Sequence, residues 1–157
     1  MAEAETGIVI RAARLDEGPR LKEIAIAAKS HWGYERARVL RWADDGDFSP
    51  GGLAKLVVFV AEAEGRAVGW VSLLRKSYRW SLEDLWVEPA WMGKGVGERL
   101  FRYAAEHASA AGAKRMEWEA EPNAVGFYER MGAHHVRDSE RSAWGRIIPV
   151  MEIDLGD

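Results

Sequence analysis

Three glycines at alternate positions, in Met92-Gly93-Lys94-Gly95-Val96-Gly97, carry the clearest chemical signal in this sequence. They stand between a strand-like run, Leu82–Val87, closed by Glu88-Pro89, and the apolar periodicity of a helix over Val96–Ala111. Such spacing lets successive backbone N–H groups turn toward one point, and a helix N-terminus adds partial positive charge there. That corner suits a pyrophosphate, although the same letters also suit an ordinary strand-to-helix turn. Just ahead lie Glu83 and Asp84, adjacent carboxylates on a strand, whose side chains must leave opposite faces. A carboxylate can ligate a cation or assist deprotonation of an amine, so the pair predicts a cationic partner. Tyr128 falls in an apolar stripe with Ala124, Phe127 and Met131 and, taken alone, reads as core.

The elements that must position these residues follow from periodicity and punctuation. Ile8–Ala13 reads as a strand, and Asp16 as the N-cap of a helix whose first turn holds Pro19. Leu21, Ile24, Ala25 and Ala28 carry that helix to about Lys29. Ser30–Tyr34 breaks it, and a short helix spans about Glu35–Ala43. Asp44–Asp47 and Ser49–Gly52 read as loop. Leu56–Glu62 and Ala67–Leu74 form a hairpin through Ala63–Arg66, and Trp80–Glu88 is the next strand. In the helix after the glycine loop, Val96, Leu100, Tyr103, Ala104, His107, Ala108 and Ala111 share one face, and Gly112 stops it. Lys114–Ala120 is a strand; Ala124–Met131 is a short helix ended by Gly132; His134–Val136 and Ile147–Leu155 are the last strands. The order β-α-α-β-β-β-α-β-α-β-β predicts an α/β fold on a mixed sheet. A Rossmann domain is disfavoured, because it wants its glycine fingerprint on the first strand.

Composition narrows the function classes. The chain has 157 residues, 48% hydrophobic and 30% charged, which predicts one globular domain over 1–157 with its core at about 8–155. Net charge is -3 with the two signs interspersed, so no basic stripe predicts a nucleic-acid partner. There are no cysteines, which excludes disulfides, thiolate metal sites and cysteine nucleophiles. His31, His107, His134 and His135 lack metal-ligand spacing, so no metal is expected. No apolar run reaches the roughly 18 residues of a membrane span, and the acidic start is unlike a signal peptide; a cytoplasmic protein without membrane contact is the expectation.

The element order, the loop Met92–Gly97, and the later Asn123…Phe127-Tyr128-Glu129…Gly132 together resemble the GCN5-related N-acetyltransferase superfamily. The likeness covers about Ile8 to Leu155. More weakly, Leu82–Val87 with the loop and Gly126–Ala133 is similar to the diamine and polyamine acetyltransferases. The resemblance implies acetyl-CoA as donor and no metal, with the pantetheine arm along the backbone of Leu85, Trp86 and Val87. It implies the pyrophosphate on the N–H groups of Gly93, Lys94, Gly95, Val96 and Gly97. The family usually has Arg or Gln at the first loop position, where this chain has Met92. Main-chain donors preserve the phosphate contact, and Lys94 is the candidate to replace the lost side chain.

Acetyl transfer to an amine needs a neutral amine, a stabilised oxyanion and a proton for the departing thiolate. An amine of pKa near 10.4 is neutral about once in 2,500 molecules at pH 7, a cost of roughly 4.6 kcal/mol. Glu83, Asp84 and, on the neighbouring strand, Glu119 are the candidate bases or amine ligands; Glu117 and Glu121 are expected to face solvent. The resemblance implies that Tyr128 protonates the thiolate, a phenol near pKa 10 matched to a thiol near 8.5. Asn123 reads as a helix N-cap, and the resemblance adds a pantetheine contact. The oxyanion is assigned to the backbone N–H of Val87 or its neighbour.

The acceptor end has two readings. His31, Trp32 and Tyr34 form either a packed helix terminus or an aromatic wall for an amine. Trp80, Trp86, Trp91, Trp118 and Trp144 either extend that wall or serve as core and dimer contacts. The expectation is transfer by direct attack to a primary amine of a cationic small molecule, with a homodimer implied by the family. The alternatives are a peptide or protein N-terminal acetyltransferase and a non-catalytic acyl-CoA-binding module.

Overall fold

The computed structural model describes residues 7–76, 79–139 and 147–156. Among them, seven strands form one hydrogen-bonded sheet: β1 (Ile8–Ala12), β2 (Val57–Ala63), β3 (Arg66–Lys76), β4 (Arg79–Val87), β5 (Arg115–Glu119), β6 (His134–Asp138) and β7 (Pro149–Asp154). The order is β1-β2-β3-β4-β5-β7-β6. The β4–β5 pair is parallel, while β1–β2, β2–β3, β5–β7 and β6–β7 are antiparallel, so the sheet is mixed as expected. The helices are α1 (Gly18–His31), α2 (Arg36–Asp44), α3 (Pro50–Ala54), α4 (Val96–Ala110) and α5 (Val125–Arg130). No described helix is long and apolar enough to cross a membrane.

Contacts divide the chain into two compact units. One runs to Leu73 and adds Asp84–Ala104; the other joins Leu74–Glu83 to the chain from Ala105 onward. In the first, Ile8 and Ile10 of β1 are buried while Val9 is exposed, the alternation of a strand with one covered face. The β2–β3 hairpin turns at Glu64-Gly65, both at positive φ, the two-residue geometry that matches strand twist. Leu21, Ile24 and Ala25 of α1 pack on Leu53, Val58, Val60, Ala67 and Trp70. The Trp70 indole N–H donates to the Leu21 carbonyl at 2.9 Å, so its polar edge is satisfied inside that core.

Two expectations for this unit are corrected. Asp16 does not cap α1. A 3-10 turn, Leu15–Glu17, precedes the helix, and the buried Glu17 is the carboxylate that matters there. It receives Arg11 at 2.8 and 2.9 Å and the Arg14 N–H at 2.7 Å. Arg11 holds the Glu17 carboxyl below its ordinary range, and the guanidinium is itself raised by Glu17. Residues 50–54 are the helix α3 rather than loop. Ser49 caps it by accepting the Gly52 N–H at 3.1 Å, and Pro50 occupies the first turn. The adjacent glycines hid it.

The second unit is built on β5, whose Met116 and Trp118 are buried and whose Trp118 pairs with Met151 of the central β7. Tyr128 is the buried residue of α5. Glu117, expected to face solvent, is only 11% exposed because Arg79 and Arg137 enclose it. That contact raises the Arg137 pKa. Asn123 is not a helix N-cap: it lies inside the 3-10 turn Pro122–Ala124, and Glu121 caps that turn by accepting the Asn123 backbone N–H. Of α4, Ala108 is buried in this unit, while Val96, Leu100, Phe101 and Ala104 are the helix's buried residues in the first unit, to which Tyr103 and Phe59 also belong. Tyr103 is 39% exposed, its ring edge-to-face on Phe59.

Candidate active site

The glycine loop is fixed from both ends. Before it, the Glu88 N–H bonds the Val68 carbonyl at 2.9 Å, and the Glu88 carboxylate pairs with Arg20 and Arg66. After it, Val96 and Leu100 of α4 press on Gly69 of β3. A Cβ at Gly69 would lie 3.1 Å from Leu100 Cδ1, 3.1 Å from the Trp86 carbonyl oxygen and 3.3 Å from Val96 Cγ1. Within the loop, Gly93 and Gly95 take φ +77° and +82°, a left-handed geometry that other residues adopt at a cost. A Cβ at either would meet nothing within 4 Å, so the corner is open. The Arg99 N–H is bonded back to the Gly95 carbonyl, and the N–H groups ahead of it are the helix's orphan donors. Alternating left-handed residues, open space and a helix start together fit a phosphate group. Lys94 does not extend freely: its Nζ lies 5.0 Å from the Trp91 ring centroid. Met92 and Gly97 are partly exposed.

Along β4, side chains of this unit alternate. Asp84 accepts the Ser72 hydroxyl at 2.6 Å and the Trp86 indole N–H at 3.3 Å. Leu85, Trp86 and Val87 are all partly exposed. A cavity of about 290 Å³ is lined by Trp42, Phe48 and Trp70, by Leu53 and Leu56, and by Asp45, Asp47 and Asp84. That volume is near the lower end for ligand pockets, roughly 300–1,000 Å³, and suits a small molecule. The Ser49 hydroxyl and N–H lower the Asp47 pKa. Aromatic rings beside aspartates can hold an alkylammonium.

His31 and Trp32, proposed from sequence for an aromatic wall, are exposed and pack on each other at 5.3 Å. Tyr34 instead joins Trp42 and Trp86 around Lys29. Sequence reasoning missed Trp42 and Lys29. A lysine spaced with the buried face of α1 was the available signal, since Ala25 and Ala28 beside it are buried.

In the second unit, Tyr128 is 5% exposed and meets Trp118 at 5.0 Å and Phe127 at 5.3 Å. Glu83 accepts the Ser81 hydroxyl at 2.6 Å and lies 3.9 Å from Lys76. Glu119 is exposed. The Asn123 amide donates to Glu121 at 3.1 Å. Trp80 and Trp118 are 8% and 2% exposed, so they are core and not wall; Trp144 lies outside the described residues. Among the described residues, no three His, Asp or Glu side chains gather as a metal site.

Known proteins resemble this chain in sequence and in fold. The chain aligns at 38% identity over 85 residues with glucosamine 6-phosphate N-acetyltransferase 1 of Oryza sativa subsp. japonica, covering 48% of this chain and 52% of that protein. It aligns at 32% identity over 84 residues with an uncharacterized N-acetyltransferase of Methanocaldococcus jannaschii, covering 47% of this chain and 37% of that one. The chain thus spans from about a third to half the length of these relatives. In fold, it superposes with TM-score 0.78 on the PaiA N-acetyltransferase of Thermoplasma acidophilum, solved with coenzyme A, at 20% identity over 94% of this chain and 98% of that one. A GCN5-related N-acetyltransferase of Rhodopseudomonas palustris gives the same score at 21% identity, over 93% and 94% of the two chains. The family model for the acetyltransferase (GNAT) family matches residues 19–133, and the chain belongs to that family.

Proposed function

We propose that this protein transfers an acetyl group from acetyl-CoA to the primary amine of a small cationic acceptor, by direct attack in a ternary complex. The observation that carries this reading is the open corner at Gly93 and Gly95 at the start of α4, with left-handed φ at both glycines. Acetyl-CoA supplies an activated thioester. The N–H groups of Gly93, Lys94, Gly95, Val96 and Gly97 hold its pyrophosphate, and the backbone of Leu85, Trp86 and Val87 orients its arm. Since the Glu88 N–H is taken by Val68, Val87 is the better oxyanion donor of the two. Asn123 is a further contact for the arm.

Asp84 is the preferred amine ligand. It lines the cavity and is oriented by two donors, Ser72 and Trp86, while Glu83 is held by Ser81 beside Lys76. Glu119 is third. Tyr128 gives its proton to the departing thiolate. The rice relative's name specifies a phosphorylated amino sugar, but the aspartates among the cavity's lining residues disfavour an anionic acceptor here. We take the protein to act as one domain and as a homodimer.

A calorimetric titration with acetyl-CoA, followed by a CoA-release assay over diamines, monoamines, amino sugars, amino acids and peptides, tests the proposal. Binding with the fastest turnover on cationic small amines supports it. Preferred peptide turnover would turn it into an N-terminal acetyltransferase; binding with no turnover would leave an acyl-CoA-binding module.

A further inference from the structure

Lys29 is 6% exposed, rare for a lysine. Its Nζ lies 4.7 Å from the ring centroid of Trp42, 5.0 Å from Tyr34 and 5.5 Å from Trp86. The three rings come from α2, from the segment before it and from β4, and Trp42 meets Trp86 edge-to-face at 5.2 Å. Three aromatic faces within about 6 Å of one ammonium make a cation-π box. We propose that Tyr34, Trp42 and Trp86 form an alkylammonium-binding box that Lys29 keeps filled, and that this internal cation positions the acceptor cavity.

The box and the cavity share parts. Trp42 is a wall of both, and Trp86 donates its indole N–H to Asp84, which also lines the cavity. The Lys29 charge draws both indoles toward one point, and so sets where the Trp42 ring and the Asp84 carboxylate stand. Lys29 is therefore a positioning residue that touches neither acceptor nor donor. Its effect on the acceptor rests on the proposed transfer activity; the box itself does not.

The test is replacement of the tethered ammonium by a free one. Lys29→Ala opens the box, and ethylammonium chloride is titrated into it while melting temperature and tryptophan fluorescence are followed. The expected result is a saturable change of both in Lys29→Ala beyond any that the wild type shows through its acceptor cavity, and none with potassium chloride at equal ionic strength. Lys29→Met, whose side chain fills the box without charge, should respond only as the wild type does. In both variants the acceptor KM should rise about tenfold, with acetyl-CoA affinity unchanged. No saturable response in Lys29→Ala, or the same response in wild type, overturns the box. Should Lys29→Ala not fold, Trp42→Leu serves instead: it should make Lys29 at least about tenfold faster to react with acetic anhydride, and an unchanged rate overturns the box. These binding arms need no turnover, so their failure is distinct from absence of CoA release by the wild type, which would remove the transfer reading.

Discussion

Tyr128 packs edge-to-face on Trp118, with ring centroids 5.0 Å apart and planes at 61°, and both side chains are buried. This contact uses the ring, not the oxygen. Tyr128→Phe should keep that packing while removing the proposed proton donor. Thermal unfolding should move by no more than a few degrees, and kcat should fall about 100-fold, measured by CoA release. A fall in kcat of less than threefold would return Tyr128 to a purely packing role.

The loop predicts a separation of fit from strain. Gly95→Ala adds a methyl that meets no atom within 4 Å, yet φ of +82° disfavours alanine by roughly 1–2 kcal/mol. Acetyl-CoA affinity should drop at least about fivefold by calorimetry, while acceptor KM stays put. Equal affinity would mean that the corner does not hold the donor.

The carboxylates can be ranked by substitution. Asp84→Asn should cost about 10–100-fold in kcat/KM for a cationic amine, because it removes a charge from the cavity wall. Glu83→Gln should cost less than about threefold, because Ser81 and Lys76 already occupy it. The reverse order in steady-state kinetics would move the base to Glu83.

Acid stability has a local source in Glu17. Its folded pKa is lowered, chiefly by the Arg11 hydrogen bond, so the unfolded state binds the proton more readily. The contribution is full above the ordinary glutamate value and is lost as pH falls through the lowered folded value. Glu17→Gln should reduce stability at pH 7 by roughly 2 kcal/mol and flatten the acid limb of a urea-midpoint profile. An unchanged limb would assign acid unfolding to other carboxylates.

Much of this was legible in the chain because it depends on local rules. The glycine loop, the Glu64-Gly65 hairpin and the mixed sheet follow from turn chemistry and alternation. Where two local signals competed, the sequence misled: Ser49-Pro50 announces a helix start, but Gly51-Gly52 reads as a break, and α3 forms there. Asp16 looked like a better cap than Glu17 because nothing local shows that Arg11 and Glu62 lie within bonding distance. Glu117 looked solvated for the same reason; its arginines arrive from β4 and β6. The Lys29 box depends wholly on tertiary structure, since Trp42 and Trp86 reach it from other elements. Local patterns fix which element a residue joins, whereas neighbours brought by the sheet fix its charge and its company.

The tight spot at Gly69 ties the donor corner to the strand beneath it. Because a Cβ at that residue would come within 3.1 Å of Leu100 Cδ1 and 3.3 Å of Val96 Cγ1, the height of α4 over β3 depends on there being no side chain at this position. A single methyl group there would lift the helix start by some tenths of an ångström and tilt the amides of residues 93–97 with it, altering the proposed phosphate grip from a position outside the proposed contact.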